Sequence, residues 1–220
     1  MRGRGRIVSL LLLITLLFSL TSCERDREYN EDEVLAAAAE LIELSVPLNE
    51  IYYGEGLSYD EEDGIGAYKR ASTYSLMRYG INTIDDLRRK TREVFSESMS
   101  LSFFSMALDP IYSGESIVGY RRYYQEYDED GNPTTIMVKT NYEHFGSGKI
   151  EYRDGISVKD VEGEVIVLSV PITLTRESDG KTRDSVIEVR LIEEAGGWRL
   201  HSDTYAVYND SSDRYDELNK

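Results

Sequence analysis

Alternating apolar and polar side chains mark the last third of this chain. Residues 164–175 are rich in β-branched side chains, which favour a pleated strand. Alternate positions share one face of a strand, so one face of this segment is wholly apolar and should point at the core. That face consists of Ile166, Leu168, Val170, Ile172 and Leu174. The pattern predicts a long strand with one buried face.

Turn residues on either side of this strand predict an antiparallel meander. Asp179-Gly180 favours a hairpin into a return strand over residues 185–192, and Gly196-Gly197 favours a turn into a last strand over 198–208. Upstream, residues 149–161 predict a further strand. Pro171 cannot donate a ladder hydrogen bond, so it needs a sheet edge or a bulge, and a bulge would bend the sheet.

Helical spacing dominates the first half of the chain. Asn30 can cap a helix that Pro47 would end or kink. Thr83 and Ser96 can cap two more helices, the second ending before Pro110. Helices followed by antiparallel strands indicate an α+β fold, with the helices on one face of a curved antiparallel sheet.

Two further segments complete the predicted domain. Residues 54–66 are acidic and rich in glycine, which predicts a loop. The four acids at 60–63 are contiguous, whereas calcium loops space their ligands, so no metal site is predicted. Residues 117–127 and 134–145 predict a strand pair joined by a turn at 128–133.

The N-terminus has the pattern of an export signal. Three arginines within the first six residues precede an apolar run over residues 7–20, which is shorter than the roughly 20 residues that span a bilayer. Leu20-Thr-Ser-Cys23 resembles the bacterial lipobox, which implies cleavage before Cys23 and a diacylglycerol on its thiol. The alternative is an ordinary signal peptide or an uncleaved anchor with an unrelated cysteine. The resemblance predicts an extracytoplasmic protein anchored to a bacterial cell membrane by lipid.

Charge and composition predict the bounds of the domain and argue against one class of partner. We expect a signal peptide at 1–22, a flexible tether at 23–33, one α+β domain at 34–208 and a disordered acidic tail at 209–220. Losing residues 1–22 removes three arginines and no acid, so the net charge of −16 becomes −19. This charge argues against nucleic acid as a partner. It suits a basic cell-wall protein, and a glycan is also a possible partner.

The sequence contains few groups for catalysis. It has two histidines, and it lacks the His-Glu-x-x-His, Cys-x-x-Cys, Gly-x-Ser-x-Gly and phosphate-loop motifs. We therefore predict no catalytic residue, metal or cofactor. The alternative is a polar pocket that contains Glu143, His144 and His201, although no orienting partner is evident for either imidazole.

Seventeen tyrosines are the most unusual feature of the composition. Tyrosine offers a large contact area with a polar hydroxyl, which suits binding surfaces for sugars or proteins. The candidate interface residues are Tyr68, Tyr79, Tyr120, Tyr123, Tyr124 and Tyr127. The alternative is that these tyrosines are ordinary amphipathic residues with their hydroxyls in water.

Two family resemblances extend these expectations. Tyr79-Gly-Ile-Asn-Thr-Ile-Asp-Asp-Leu87, followed by Val94-Phe-Ser96 and later by Gly197-Trp-Arg-Leu200, resembles the secreted inhibitors of bacterial cell-wall DL-endopeptidases. This resemblance implies a non-enzymatic α+β protein that blocks a cell-wall hydrolase. The C-terminal pattern of Asp179-Gly180, Gly197-Trp-Arg-Leu200 and Tyr205 is also similar to the cystatin-like superfamily of nuclear transport factor 2. That second resemblance implies a concave pocket.

These observations together predict a lipid-anchored binding or regulatory module of the cell envelope without enzymatic activity. The alternative is a cystatin-like pocket protein that binds a small ligand or acts as a hydrolase or isomerase.

Overall fold

The fold is α+β, as the sequence predicts, with helices packed on one face of a curled antiparallel sheet. The computed structural model describes residues 29–142, 148–176 and 179–206. The described residues from Glu31 onward form one compact unit. Within the described residues, no helix has the length and apolar character needed to cross a membrane.

The described part of this unit contains four helices and eleven strands. The helices are α1 (Glu31–Tyr52), α2 (Thr73–Tyr79), α3 (Ile84–Val94) and α4 (Glu97–Ala107). The strands of the first half are β1 (Tyr59–Ile65), β2 (Tyr68–Ala71), β3 (Pro110–Ser113), β4 (Ser116–Tyr120), β5 (Tyr123–Tyr127) and β6 (Pro133–Lys139). The strands of the last third are β7 (Gly148–Tyr152), β8 (Ser157–Glu162), β9 (Val165–Arg176), β10 (Thr182–Glu194) and β11 (Gly197–Leu200).

The helix starts follow the predicted capping residues. Thr83 accepts a hydrogen bond from the Asp86 amide at 3.0 Å, and the Asp86 carboxylate accepts one from the Thr83 amide at 3.1 Å, which completes a capping box. The Ser96 side chain caps α4 by accepting a hydrogen bond from the Met99 amide. Pro47 neither ends α1 nor starts a new element, because the helix continues through it to Tyr52.

Every strand pair within the three hydrogen-bonded sets is antiparallel. One set has the order β1-β2-β6-β5, and β3 and β4 form a separate hairpin. The third set has the order β11-β10-β9, with β7 and β8 following one another along the far side of β9. The five predicted apolar residues of β9 are all buried, which confirms the direction of that face.

Pro171 explains why residues 149–161, predicted as one strand, form the two strands β7 and β8. The Arg153 amide donates to the Pro171 carbonyl at 2.9 Å, so the backbone edge of Pro171 faces the segment between β7 and β8. Proline has no amide hydrogen to offer there, and the ladder is interrupted. On its other side Pro171 pairs in register with Val186, without a bulge.

Three other predicted segments differ from the structure. The acidic segment expected to be a loop contains β1, which pairs with β2 across a turn at Gly66, where φ is +61°. The predicted strand over 117–127 is broken at Arg121 and Arg122, because the Arg122 side chain turns inward to the carbonyls of Tyr52 and Gly54 at 3.0 and 2.7 Å. The last strand ends at Leu200, well before the predicted end at 208.

Candidate ligand-binding groove

An aromatic groove lies between the start of α3 and strand β5. It encloses about 360 Å³ and is open to solvent on one side. Its walls combine tyrosine rings with two prolines and a few polar side chains. The lining residues are Thr83, Ile84, Asp85, Arg88, Leu108, Pro110, Tyr120, Tyr123, Tyr124, Gln125, Tyr127 and Pro133. A cleft of this size, mostly apolar with a few polar groups, has the usual character of a small-ligand site.

Gln125 joins the two walls of the groove, which are the start of α3 and strand β5. Its Oε1 accepts a hydrogen bond at 2.9 Å from the amide of Ile84, at the first turn of α3. Its Nε2 donates to the carbonyl of Thr135 at 2.8 Å, on the neighbouring strand β6. The side chain therefore satisfies one of the free amides at the helix start and holds α3 to the sheet. These contacts fix the position of α3 against the sheet beside the groove.

Three tyrosines form an ordered cluster beside the groove. The Tyr120 and Tyr124 rings stack with centroids 4.6 Å apart, and Tyr68 meets Tyr124 edge-on at 5.1 Å. The Tyr68 hydroxyl donates to the Tyr120 carbonyl at 2.8 Å and accepts from the Tyr120 amide at 2.7 Å. Aromatic pairs of this geometry contribute about 0.5–1.5 kcal/mol beyond simple burial. The cluster therefore positions the Tyr120 and Tyr124 rings at the groove in advance.

Tyr124 stays protonated in this setting. Burial raises the pKa of its hydroxyl, and the nearby Glu126 carboxylate raises it further. A neutral phenol can both donate and accept a hydrogen bond. Tyr127 also lines the groove, and 59% of its surface is exposed, so it is the most accessible aromatic ring at the site.

Two of the six candidate tyrosines differ from the other four: Tyr123 is buried beneath the groove, and Tyr79 lies at the end of α2. Tyr123 is fully buried, and its hydroxyl donates to the Ile51 carbonyl at 2.9 Å and accepts from the Leu57 amide at 3.2 Å. It forms the floor of the groove and part of the core, where alternation along β5 alone could not place it. Tyr79 is half-buried at the end of α2, where the Arg78 guanidinium lies 5.3 Å from its ring centroid. It is absent from the lining of the groove.

The alternative polar pocket comprises three residues, and the structure describes only His201. Glu143 and His144 lie outside the described residues. The His201 Nδ1 lies 2.9 Å from the Oγ of Ser96, the residue that caps α4. The imidazole therefore supports a helix start. Within 29–142, 148–176 and 179–206, no group of three or more histidine, cysteine or acidic side chains is placed to hold a metal ion.

Sequence patterns missed several groove residues. Pro110, Pro133, Gln125 and Arg88 come from four separate segments, and none belongs to a motif. Gln125, a polar residue within the tyrosine-rich strand β5, was the one local indication in the sequence of a polar contact in this groove. Comparisons with protein-family models, curated proteins and solved structures give no match to this chain.

Proposed function

We propose that this protein is a lipid-anchored, extracytoplasmic binding module of the cell envelope that recognises a glycan in the tyrosine groove without transforming it. The observation that carries this proposal is the set of pre-positioned tyrosines at an open groove of about 360 Å³. The lipobox-like sequence at Cys23 supports the anchor and the compartment.

The size and chemistry of the groove favour a saccharide over a protein partner. Tyrosine rings present flat apolar faces on which the C–H faces of sugar rings can pack, while the hydroxyls offer hydrogen bonds. The volume lies within the range of about 300–1,000 Å³ that is usual for small-ligand sites. A stable protein partner would need about 800 Å² of contact on each side. Inhibition of a cell-wall hydrolase stays a prediction that rests on sequence resemblance.

The glycan proposal is tested by calorimetric titration of the full chain in detergent micelles. The probes are the neutral oligosaccharides cellotetraose and chitotetraose. Tyr127→Ala removes the most accessible ring of the groove, and loss of roughly 1 kcal/mol of stacking should weaken binding about fivefold. Tyr112→Ala is the matched control, because Tyr112 is 60% exposed and is not among the residues that line the groove.

The result expected is weaker binding by the Tyr127 variant and unchanged binding by the Tyr112 variant. Wild-type protein that binds neither oligosaccharide, or equal affinities in all three proteins, would refute the glycan assignment. The anchor is tested separately with Cys23→Ala. Because several acyl chains hold a protein stably at a membrane, the variant should leave the membrane fraction, and its retention there would refute the lipid proposal.

A further inference from the structure

A second groove, rich in arginine, continues from the tyrosine groove along α3. It is an open surface depression of about 480 Å³, lined by Arg88, Arg89 and Arg92 of α3 and by Arg199 of β11, together with Asp85 and Glu93. Asp85 and Arg88 line both grooves, so the two are contiguous. A ligand that lies on the tyrosines can therefore extend to the arginines without leaving the surface.

Three of the four arginines are held in place by a phenylalanine ring or by backbone carbonyls. The guanidinium groups of Arg88 and Arg92 lie 5.9 and 5.1 Å from the ring centroid of the buried Phe104. Arg199 reaches across from the sheet, where its Nε donates to the Arg92 carbonyl at 3.0 Å and its Nη1 donates to the Trp198 carbonyl at 2.7 Å. These contacts restrict the side chains before binding, so a ligand loses less conformational entropy when it orders them.

Neighbouring carboxylates pair with three of the four arginines. Arg88 pairs with Asp85 at 3.1 Å, Arg89 with Glu93 at 3.0 Å and with Asp86 at 3.4 Å, and Arg92 with Glu97 at 2.9 Å. These pairs are exposed and contribute little to stability. In the described part of the chain, Arg199 has backbone carbonyls and no carboxylate as hydrogen-bond partners. Arg199 is therefore the guanidinium of this groove that no carboxylate offsets within the described residues, on a chain of net charge −16.

We infer that the arginine groove binds the carboxylate or phosphate groups of an anionic saccharide whose neutral ring faces lie on the tyrosines. This inference rests on the proposed function and specifies its ligand class. Guanidinium groups suit the task because their planar fork matches the oxygens of a carboxylate or phosphate in a bidentate pair.

The test compares ligands with the same sugar skeleton and different charge. Full-chain protein in detergent micelles is titrated with tetragalacturonate, with its neutral methyl ester and with a glycerol phosphate oligomer. We expect the free acid to bind about tenfold tighter than the ester at low ionic strength, and the preference to shrink as salt is added. The glycerol phosphate oligomer has no sugar ring to lie on the tyrosines, so tighter binding of this oligomer than of the galacturonate would refute the anionic-saccharide assignment.

Three arginine variants locate the effect. Arg199→Gln and Arg92→Gln should each reduce the preference for the acid over the ester severalfold, while binding of the ester is retained. Arg121→Gln is the matched control, since it removes the same charge from an exposed arginine outside both grooves. Urea midpoints measured on all three variants verify that each is folded.

The outcomes separate this inference from the proposed function. Equal affinity for the acid and the ester, with Tyr127→Ala still weakening both, refutes the arginine subsite and leaves the tyrosine groove standing. An equal loss in Arg121→Gln and Arg199→Gln also refutes the subsite, because a general charge effect would then explain the preference. Binding that is insensitive to Tyr127→Ala refutes the proposed function instead.

Discussion

Tyr123→Phe tests how the core is joined beneath the groove. The substitution removes one oxygen atom and keeps the ring, so no large cavity forms. The Tyr123 hydroxyl donates to the Ile51 carbonyl near the end of α1 and accepts from the Leu57 amide just after that helix. Since Tyr123 is fully buried, water cannot readily replace the hydroxyl.

The expected loss of stability follows from the two backbone groups left behind. An unsatisfied buried donor or acceptor costs roughly 1–3 kcal/mol, so we expect Tyr123→Phe to lower the free energy of unfolding by about 2–4 kcal/mol. For a chain of this size, each 1 kcal/mol corresponds to a fall of about 2–4 °C in Tm.

Urea unfolding followed by circular dichroism measures this effect. Tyr124→Phe is the control, because it removes the same atom from the adjacent, partly exposed ring and should change the free energy of unfolding by less than about 0.5 kcal/mol. The midpoint of the Tyr123 variant should fall while its m-value stays unchanged. Equal and small losses in both variants would show that the buried hydroxyl does not join α1 to the sheet.

Three further predictions follow from the backbone and the buried phenols. Gly56→Ala should lower the free energy of unfolding by more than about 2 kcal/mol, because φ is +81° at this position and an added Cβ would overlap the Tyr123 hydroxyl. A urea titration with an unchanged midpoint would contradict this. Thr83→Ala should lower it by about 1 kcal/mol through loss of the cap on the Asp86 amide, and Thr83→Ser should restore most of that loss. Burial raises the pKa of Tyr123 to about 12 and also raises the pKa of Tyr53. Their contribution to the free energy of unfolding is therefore complete below the unfolded pKa of about 10 and is lost as the pH rises through the folded pKa. A urea midpoint that stays constant from neutral pH to pH 12 would refute this.

Local patterns in the sequence predicted much of the fold. The apolar face of β9, the caps at Thr83 and Ser96 and the α+β class all follow from residues that are neighbours in the chain. They are predictable because side-chain alternation and capping depend on spacings of two to four residues. The position of Cys23 behind an apolar run is local in the same sense, and its lipidation stays a prediction.

Contacts between distant residues decided the rest. Gln125 joins Ile84 across 41 residues, Tyr68 joins Tyr120 across 52, and Tyr123 reaches Ile51 across 72. Periodicity could propose six tyrosines as an interface, but it could not distinguish a buried tyrosine in the core from an exposed one at the rim. Nor could it bring Arg199 of the last described strand beside the arginines of α3. Strand alternation fixes only which side of the backbone a residue occupies, whereas the packing of helices on the sheet determines what meets it there.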